Sequence, residues 1–211
     1  MSPQVADASR GLDHGSIRLS STYDSPMRQA VPVTAVRTVL TADLTDAELA
    51  VIRRLLDVAF DDEFGDEDWD HALGGAHLLV SEDGVPVAHG SVVQRRFLHG
   101  GRSWRCGYVE AVAVRPDRQR RGLGSAVMAA AERLIDGGYQ LGALSTSDEG
   151  RGLYLARGWT PWRGATAVLA PSGVTRTEED DDSTFVREVP GGAALNVTGT
   201  LICDWREGDV W

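Results

Sequence analysis

The sequence predicts an α/β fold, a mixed sheet with helices packed against it, in a chain of 211 residues. Two hairpin signals follow one another in the first half of the chain, and hairpins join antiparallel strands. Two later segments, residues 108–145 and 141–168, each have a strand–helix–strand pattern, and such crossovers join parallel strands. Because both kinds of connection occur, we expect parallel and antiparallel neighbours in the same sheet.

The chain begins with a segment that differs in composition from the rest. Residues 1–32 are rich in Ser, Asp, Gly and Pro and show no steady hydrophobic period. We therefore predict a disordered N-terminal extension at 1–32, followed by a single domain at 33–211. The extension lacks the apolar stretch of a signal peptide. The β-branched segment Pro32–Leu40 predicts the first strand.

Two helices are expected next. The sequence from Thr45 to Glu48 is a capping-box pattern, and apolar residues at helical spacing follow it as far as Phe60. A shorter helix is expected around Trp69, ending at the glycine pair Gly74-Gly75.

Tight turns then divide the chain into strands. Asp83-Gly84 predicts a two-residue turn, and a second turn at His99–Gly101 leads into a strand that ends at Val114. The helical period of Gly122–Asp136 predicts the next helix, which Gly137-Gly138 should end.

The last part of the chain alternates short strands with one helix. Leu141–Ser145 predicts a strand, and Ser147 is placed to cap a short helix that carries Tyr154 and ends at Gly158. Three later segments predict strands: Trp159–Leu169, Ser183–Val189 and Thr200–Asp204.

The charge excludes several functions. The chain has 31 acidic and 21 basic residues, a net charge of −10, and all its basic residues are arginine. Without lysine, neither a phosphate-binding P-loop nor Schiff-base chemistry is available. An acidic protein is a poor match for nucleic acid, and no apolar run is long enough to span a membrane. We therefore expect a cationic small-molecule partner, no nucleic acid and no membrane.

Cysteine and histidine add little chemistry. Cys106 and Cys203 are too few for a disulfide framework, so we expect packed thiols in a cytoplasmic protein. The five histidines show no metal-ligand spacing, so no metal is predicted. The oligomeric state stays open at this stage, with a homodimer as one possibility.

One segment carries the clearest functional signal. Gln119-Arg120-Arg121-Gly122-Leu123-Gly124-Ser125 follows a strand and opens the amphipathic helix. The first N–H groups of a helix have no partner within the helix, and its dipole favours anions there. Glycines let a backbone approach a phosphate closely, and four arginines lie nearby. Their spacing differs from the dinucleotide fingerprint, so we expect a different phosphate-bearing ligand.

This segment, with its spacing Gln-x-x-Gly-x-Gly, resembles the acyl-CoA loop of the GNAT acetyltransferases. The element order matches the GNAT acyl-CoA N-acyltransferase fold. Further blocks resemble the aminoglycoside 2′-N-acetyltransferases within that superfamily, from about residue 33 to the end of the sequence. These blocks are Cys106–Glu110, Tyr139–Ser145, Arg157–Trp159, Cys203–Arg206 and Gly208–Trp211.

The resemblance implies acetyl-CoA as the co-substrate, bound by the strand and the loop. The backbone of Val112 and Val114 would hold the pantetheine arm. The N–H groups of the loop would hold the pyrophosphate, with the arginines adding charge. The implied loop residues are Gln119, Arg120, Arg121, Gly122, Leu123, Gly124 and Ser125.

It also implies the catalytic groups. Glu110 would accept the proton of the amine, directly or through water. It is two residues from Val112 along a strand, so we expect it on the same side. Tyr154 would protonate the departing thiolate, and its alternative is a half-buried aromatic without a catalytic role.

The resemblance places carboxylates around a cationic substrate. The acid before Phe64 is Glu63 where the subfamily pattern has aspartate, so Asp62 is an alternative contact. Asp180 is chosen from the acidic run 178–182. The remaining implied contacts are Ser145, Glu110, Asp209 and the terminal carboxylate expected at Trp211.

The function implied is direct transfer of an acetyl group to the 2′-amine of an aminoglycoside, which would confer antibiotic resistance. Two rivals are kept. One is the same chemistry on another amine, such as a cell-wall amino sugar or a peptide N-terminus. The other is a binder that sequesters cationic drugs without catalysis.

Overall fold

The strands of residues 35–211, the part of the chain that the computed structural model describes, form one ten-stranded mixed sheet. The extension predicted for residues 1–32 lies outside this part. The helices are α1 (Asp46–Ala59), α2 (Asp66–Ala72), α3 (Leu123–Gly138) and α4 (Asp148–Ala156). The strands are β1 (Arg37–Leu40), β2 (Ala76–Glu82), β3 (Val85–His99), β4 (Arg102–Val114), β5 (Leu141–Ser145), β6 (Thr160–Pro161), β7 (Thr166–Ala170), β8 (Gly173–Arg176), β9 (Thr184–Glu188) and β10 (Leu201–Asp204).

The start of α1 has the predicted capping box. The Thr45 hydroxyl accepts the N–H of Glu48 at 3.2 Å, and the Glu48 carboxylate accepts the N–H of Thr45 at 2.9 Å. Two orphan donors of the first turn are thereby paired. The buried face of the helix, with Ile52 and Leu56, packs against Leu79 of β2.

Both predicted turns are confirmed. Asp83 and Gly84 have φ of 49° and 79°, the left-handed pair that a two-residue hairpin turn requires. Gly100 and Gly101 repeat the arrangement with φ of 59° and 75°. The hairpin between β3 and β4 is long, because the two strands pair from Ala88 through His99.

One of the two predicted crossovers joins neighbours, and the other does not. β4 and β5 pair in parallel through α3, with Cys106 opposite Leu141. The segment 141–168 was predicted to form a second such unit, but β9 lies beside β5, and β7 pairs with β10 across the sheet. β8 was not predicted, because its four residues are all exposed and carry no core-facing alternation.

A bulge in β4 determines the face of the sheet on which the last side chains of this strand lie. Ser91 pairs with Glu110 but His89 pairs with Ala113, so β4 carries one extra residue here. Ala111, within the bulge, has φ of 49°. The extra residue reverses the alternation of faces that follows it.

The expectation that Glu110 and Val112 share a side is therefore wrong. Val112 packs into the core cluster under α3, whereas Ala111 packs into the opposite cluster with α1. Glu110 lies on the face away from α3 and pairs with Arg206 near the end of the sequence. β4 thus places Glu110 and Val112 on opposite faces of the sheet.

Candidate active site

A cleft of about 530 Å³ opens at the start of α3. The N-cap is Gly122, which has φ of 80° and, lacking a side chain, makes no capping hydrogen bond. The first hydrogen bond of the helix runs from the N–H of Ala126 to the Gly122 carbonyl. The N–H groups of Leu123, Gly124 and Ser125 therefore have no acceptor within the helix. These residues line the cleft, where the N–H groups can donate hydrogen bonds to an anion.

Two glycines keep this cleft open. Gly122 has the left-handed φ that favours glycine. A Cβ on Gly124 would lie 3.6 Å from Leu153 and 3.7 Å from Val114, two side chains that line the cleft. A side chain at Gly124 would thus fill space that a phosphate group needs, so the residues present fit a pyrophosphate.

Two of the four arginines near the loop are engaged elsewhere. Arg115 pairs with Asp117 at 2.6 Å, and Arg118 pairs with Asp117 at 2.5 Å and with Glu82 at 2.6 Å. They stabilise the turn rather than face the cleft.

The remaining positions of the loop differ in their placement. Arg120 lines the cleft, whereas Arg121 is exposed beside it and does not. Gln119 also lines the cleft, but its N–H is directed to the Pro116 carbonyl at 3.4 Å. The anion site therefore depends on the N–H groups of the helix start and on Arg120.

β4 contributes an open edge to the same cleft. The last pairing of β4 with β5 is Tyr108 opposite Ala143. Beyond it β4 no longer pairs with β5, and Val112 and Val114 line the cleft together with residues of α4. Backbone groups of β4 on this side are available to an extended ligand.

A second cleft, of about 360 Å³, lies beside the first, and both are lined by Phe60. Acidic side chains from distant parts of the chain meet in it. Its polar lining includes Glu63, Asp68, Glu110, Ser145 and Asp209, together with Trp211.

Five of these six residues were predicted as substrate contacts, and Glu63 rather than Asp62 lines the cleft. Asp68 was not predicted, although it belongs to an acidic run in the sequence. Its carboxylate accepts the N–H of Gly65 at 2.8 Å, which fixes it at the start of α2.

A family model described as Acetyltransferase (GNAT) family matches residues 43–159. The chain belongs to the GNAT acetyltransferases. Enzymes of this family use acetyl-CoA as the acetyl donor, in keeping with the anion site at the start of α3. The predicted family, fold and acyltransferase class are confirmed.

Individual relatives of this acetyltransferase fall into two groups. It is 52% identical over 189 residues to the aminoglycoside 2′-N-acetyltransferase of Mycolicibacterium fortuitum, covering 89% of this chain and 96% of that one. Eis1 from Mycobacterium abscessus matches with a TM-score of 0.52 and 20% identity, over 64% of this chain and 33% of that one. Escherichia coli ElaA matches with a TM-score of 0.51 and 14% identity, over 73% and 99%. The two structures share the fold.

Glu110 lies deep in the acidic cleft of the acetyltransferase, with its side chain 14% exposed. Burial raises the pKa of its carboxyl group to about 7, and the positive charge and hydrogen bond of Arg206 limit the rise. A carboxylate with a pKa near 7 can both accept and hold a proton at neutral pH.

Arg206, like Asp68, was not predicted as a site residue. Its guanidinium donates to Glu110 Oε1 at 2.5 Å and, at 2.8 Å each, to the main-chain oxygens of Asp209 and Trp211. It joins the bulge of β4 to the last residues of the sequence. A single base within the acidic segment after β10 was the only available signal.

The sixth predicted contact, Asp180, is linked to Ser145 through a series of hydrogen bonds. Asp180 does not line the cleft, but burial and then the nearby charge of Asp209 raise the pKa of its carboxyl group to about 6. Ser145 donates to the Ser183 hydroxyl at 3.0 Å, and Ser183 donates to the Asp180 carbonyl at 3.0 Å. Ser145 is therefore left as an acceptor towards the cleft.

The aromatic ring of Trp211 anchors the tail. It is 3% exposed, its Nε1–H donates to the Thr177 hydroxyl at 2.8 Å, and its ring meets Phe97 edge-on at 5.3 Å. The N–H of Trp211 donates to Asp209 Oδ1 at 3.0 Å. The acid and the aromatic residue therefore hold one another in place.

Tyr154 lines the first cleft rather than the acidic one. Its ring packs against Trp159 and Phe185, with centroids 6.3 and 6.1 Å away. Burial raises the pKa of its phenol to about 12. The two predicted catalytic groups thus stand in adjacent clefts, on either side of the opening between β4 and β5.

Residues 35–211 contain neither a metal-binding cluster nor a membrane-spanning helix. That part of the chain holds no group of three or more His, Cys, Asp or Glu side chains arranged to bind a metal ion. None of its helices is long and apolar enough to cross a membrane.

Proposed function

We propose that this enzyme transfers an acetyl group from acetyl-CoA to the 2′-amine of an aminoglycoside. The observation that carries the proposal is the meeting of two unlike clefts, one lined by helix N–H groups and one by four acidic side chains. The 52% identity to an aminoglycoside 2′-N-acetyltransferase supports the choice of amine. Acetylation would remove one positive charge from the drug, which weakens its binding to anionic targets and would confer resistance.

Acetyl-CoA supplies the activated acetyl group and a thiolate leaving group. The N–H groups of Leu123, Gly124 and Ser125 would hold its pyrophosphate, and the open edge of β4 at Val112 and Val114 would bind its extended arm. Hydrogen bonds to a charged group such as pyrophosphate are stronger than hydrogen bonds between neutral groups.

The acidic cleft suits a polycationic sugar. Glu63, Asp68 and Asp209 line it without a basic residue among the lining side chains of the described chain. Each charge-assisted hydrogen bond to an ammonium group contributes about 1.5–3 kcal/mol. Several such contacts explain how one small cleft binds a ligand that is mostly polar.

Glu110 would act as the general base. An amine of α-amino type has a pKa of about 7.7–8, so transfer of its proton to a carboxylate with a pKa of about 7 is uphill by one unit or less. A base with a pKa close to the operating pH is efficient because it is both ionised and basic enough. The hydrogen bond from Arg206 holds the Glu110 carboxylate at the acidic cleft.

Tyr154 would act as the general acid. A phenol with a pKa of about 12 gives its proton to a thiolate of ordinary pKa, about 8.5, at a cost of roughly 5 kcal/mol. The thiolate would form in the same sheltered cleft, where burial raises its pKa as well. The gap between the two groups within the cleft is therefore smaller than their separate values imply.

Direct attack by the amine fits the side chains present. Both cysteines are buried, and burial raises the pKa of Cys106 well above its usual value and that of Cys203 to about 11. Neither thiol lines the two clefts. An acyl-enzyme on cysteine would need an accessible thiolate.

The decisive experiment is a thiol-release assay with acetyl-CoA and pairs of aminoglycosides that carry either an amine or a hydroxyl at the 2′ position. We expect turnover only with the 2′-amine. Turnover with amines of peptides or cell-wall sugars instead would support the first rival function. Tight aminoglycoside binding without thiol release would support a sequestering protein. The cytoplasmic location, the homodimer and the extension at residues 1–32 stay predictions.

A further inference from the structure

Two histidines lie beneath the bulge of β4, and the proposed reaction does not use them. His77 of β2 and His89 of β3 are both fully buried. Three hydrogen bonds form a continuous chain through them. Thr41 Oγ1 lies 2.9 Å from His77 Nε2, His77 Nδ1 lies 2.9 Å from His89 Nε2, and His89 Nδ1 lies 2.8 Å from the Ala111 carbonyl oxygen.

The Ala111 carbonyl, at the end of this series of hydrogen bonds, fixes the position of every proton in the series. The Ala111 carbonyl can only accept, so His89 Nδ1 carries the hydrogen. His89 Nε2 is then bare in the neutral ring and accepts from His77 Nδ1–H. His77 Nε2 is bare in turn and accepts from the Thr41 hydroxyl at 2.9 Å, a shorter contact than the 3.3 Å from that hydroxyl to the Gly75 carbonyl oxygen. Burial keeps both rings neutral, since it lowers the pKa of His77 and lowers that of His89 to about 3.

The acceptor at the end of this chain belongs to the strained residue. Ala111 has φ of 49°, a conformation that residues with a side chain seldom adopt and that surrounding contacts must maintain. Its place in the bulge is also where the ladder with β3 is interrupted, between Ser91 and His89. His89 thus supplies from β3 the hydrogen bond that a regular ladder would supply.

We propose that His89, oriented by His77, is a positioning residue that holds the bulge so that Glu110 faces the acidic cleft and Val112 lines the acetyl-CoA cleft. The inference rests on the proposed function, because it acts through Glu110. The bulge sets the face on which each of these residues lies. Its Ala111 carbonyl accepts a hydrogen bond from His89, and the hydrogen bond from His77 fixes the orientation of the His89 ring. The other ring nitrogen of His77 contacts Thr41 Oγ1, which accepts the N–H of Gly74 at 3.0 Å and so anchors the far end of the series.

Two substitutions separate the hydrogen bond from the bulk of the ring. In His89→Asn, the side-chain amide can place an N–H where Nδ1–H stands, whereas His89→Leu has no donor. We expect His89→Leu to lower kcat by roughly ten- to a hundredfold, since small misplacement of a catalytic group has effects of this size. His89→Asn should recover most of that loss. Equal loss in both variants would overturn the proposal.

A matched control reports on stability alone. Val87→Ala changes another fully buried side chain of β3, two residues away, that faces the core under α3. It should lower the melting temperature at least as much as His89→Asn while leaving kcat within about twofold of the parent. If Val87→Ala lowers kcat as much as His89→Leu does, general destabilisation accounts for the effect and the proposal is wrong.

A double-mutant cycle with Glu110→Gln tests the route of the effect. If His89 acts through Glu110, His89→Leu should have little further effect on kcat once Glu110 has been replaced. If it keeps its full effect there, the positioning role is wrong while the base assignment stands. If Glu110→Gln alone is fully active, the base assignment of the proposed function is what fails.

NMR of the native protein tests the proton positions directly, and one double variant serves only to assign the signals. With nitrogen-labelled histidine, NMR distinguishes protonated from bare ring nitrogens. We expect one pair of histidines to carry hydrogen at Nδ1 only, at neutral pH, and to disappear together from the spectrum of the double variant His77→Gln/His89→Asn. A proton on Nε2 of either ring, or a charged ring, would overturn the proposal.

Discussion

The two clefts bind opposite charges by different means, and the difference lies in how far apart their residues are in sequence. The acetyl-CoA cleft is formed mainly by one stretch, from Val112 to Ser125, with α4 closing it. The acidic cleft takes its carboxylates from the segment after α1, from α2, from β4 and from the segment after β10. An anion can be held by backbone N–H groups, which every helix start provides. A cation held by carboxylates needs side chains that only the tertiary fold brings together.

The difference also has an electrostatic consequence. Backbone N–H groups do not titrate, so the hydrogen-bond donors that the acetyl-CoA cleft offers to an anion do not change with pH. Burial raises the pKa values of Glu110 and Asp180 to about 7 and 6, and the charge of Asp209 adds to both rises. A cation that enters the acidic cleft should lower both pKa values.

The largest effect is expected from Glu110→Gln. Loss of a general base lowers kcat/KM by about a hundred- to ten-thousandfold. In the parent enzyme, kcat/KM for the aminoglycoside should rise with pH through about 7, as Glu110 loses its proton and becomes able to accept one. The variant should lack this rise and keep only the later one that follows the amine, near pH 8. A pH profile that is unchanged in shape would contradict the base assignment.

A smaller loss is expected from Tyr154→Phe. A thiolate is a good leaving group, so it needs less help from an acid than an amine needs from a base. We expect kcat to fall roughly tenfold to a hundredfold, the lower part of the range for general acids. The KM values should change little, because the ring keeps its contacts with Trp159 and Phe185. Steady-state kinetics in both substrates tests this, and an unchanged kcat would leave Tyr154 as a packing residue.

The same contrast explains what the sequence predicts well. The capping box at Thr45, the turn at Asp83-Gly84 and the glycine loop at Gly122 are local patterns, in which neighbours in sequence determine the backbone. The acetyl-CoA cleft consists mostly of such patterns. Its charge could not be predicted in full, because Arg115 and Arg118 are neutralised by Asp117 and Glu82, and the latter lies on a distant hairpin.

The geometry of the acidic cleft depends on contacts between distant residues, which leave no signal in the local sequence. Ala111 takes a left-handed φ although alanine does not favour it, because pairing with β3 and the His89 hydrogen bond hold it there. Alternation along a regular strand therefore placed Glu110 on the wrong face. The ion pair between Arg206 and Glu110 joins residues that are 96 positions apart in sequence. The resemblance indicated which acids meet, but their environment required the fold.

A moderate effect on one substrate alone is expected from Asp209→Asn. Asparagine keeps the oxygen that accepts the N–H of Trp211, so the variant removes the charge and preserves the contact. The aminoglycoside KM should rise about tenfold or more, as expected for one charge-assisted hydrogen bond, while the acetyl-CoA KM stays constant. The difference should shrink at high ionic strength. Equal loss for both substrates would point to damage outside the acidic cleft.

The mirror-image variant is Arg120→Asn, which should affect only the acetyl-CoA KM. Arg120 has φ of 60°, and asparagine tolerates this conformation. Because the N–H groups of the helix start remain, we expect only a severalfold increase, consistent with one exposed charge. Arg121→Asn, at the neighbour that does not line the cleft, should have the smaller effect of the two. A larger effect at Arg121 would show that the bound anion extends beyond this cleft.

The smallest signal is a proton count, and it compares the two clefts directly. At pH 6.5, carboxyl groups with pKa values of about 7 and 6 hold roughly three quarters and one quarter of a proton. A bound cation lowers both pKa values, so aminoglycoside binding should release up to about one proton. Amines with a pKa of about 7.7–8 are already more than nine-tenths charged at this pH and take up little.

Calorimetry in buffers of different ionisation enthalpy measures this release. Glu110→Gln should abolish about three quarters of it and Asp180→Asn about one quarter, provided each variant still binds. At pH 8.5 both carboxyl groups of the parent are already ionised, so the release should vanish. Binding of dephospho-coenzyme A at pH 6.5 should release no proton, because N–H groups and arginine do not titrate there and this ligand lacks the phosphate monoester, whose second pKa is about 6. Equal release with both ligands would contradict the division between a backbone-built anion cleft and a side-chain-built cation cleft.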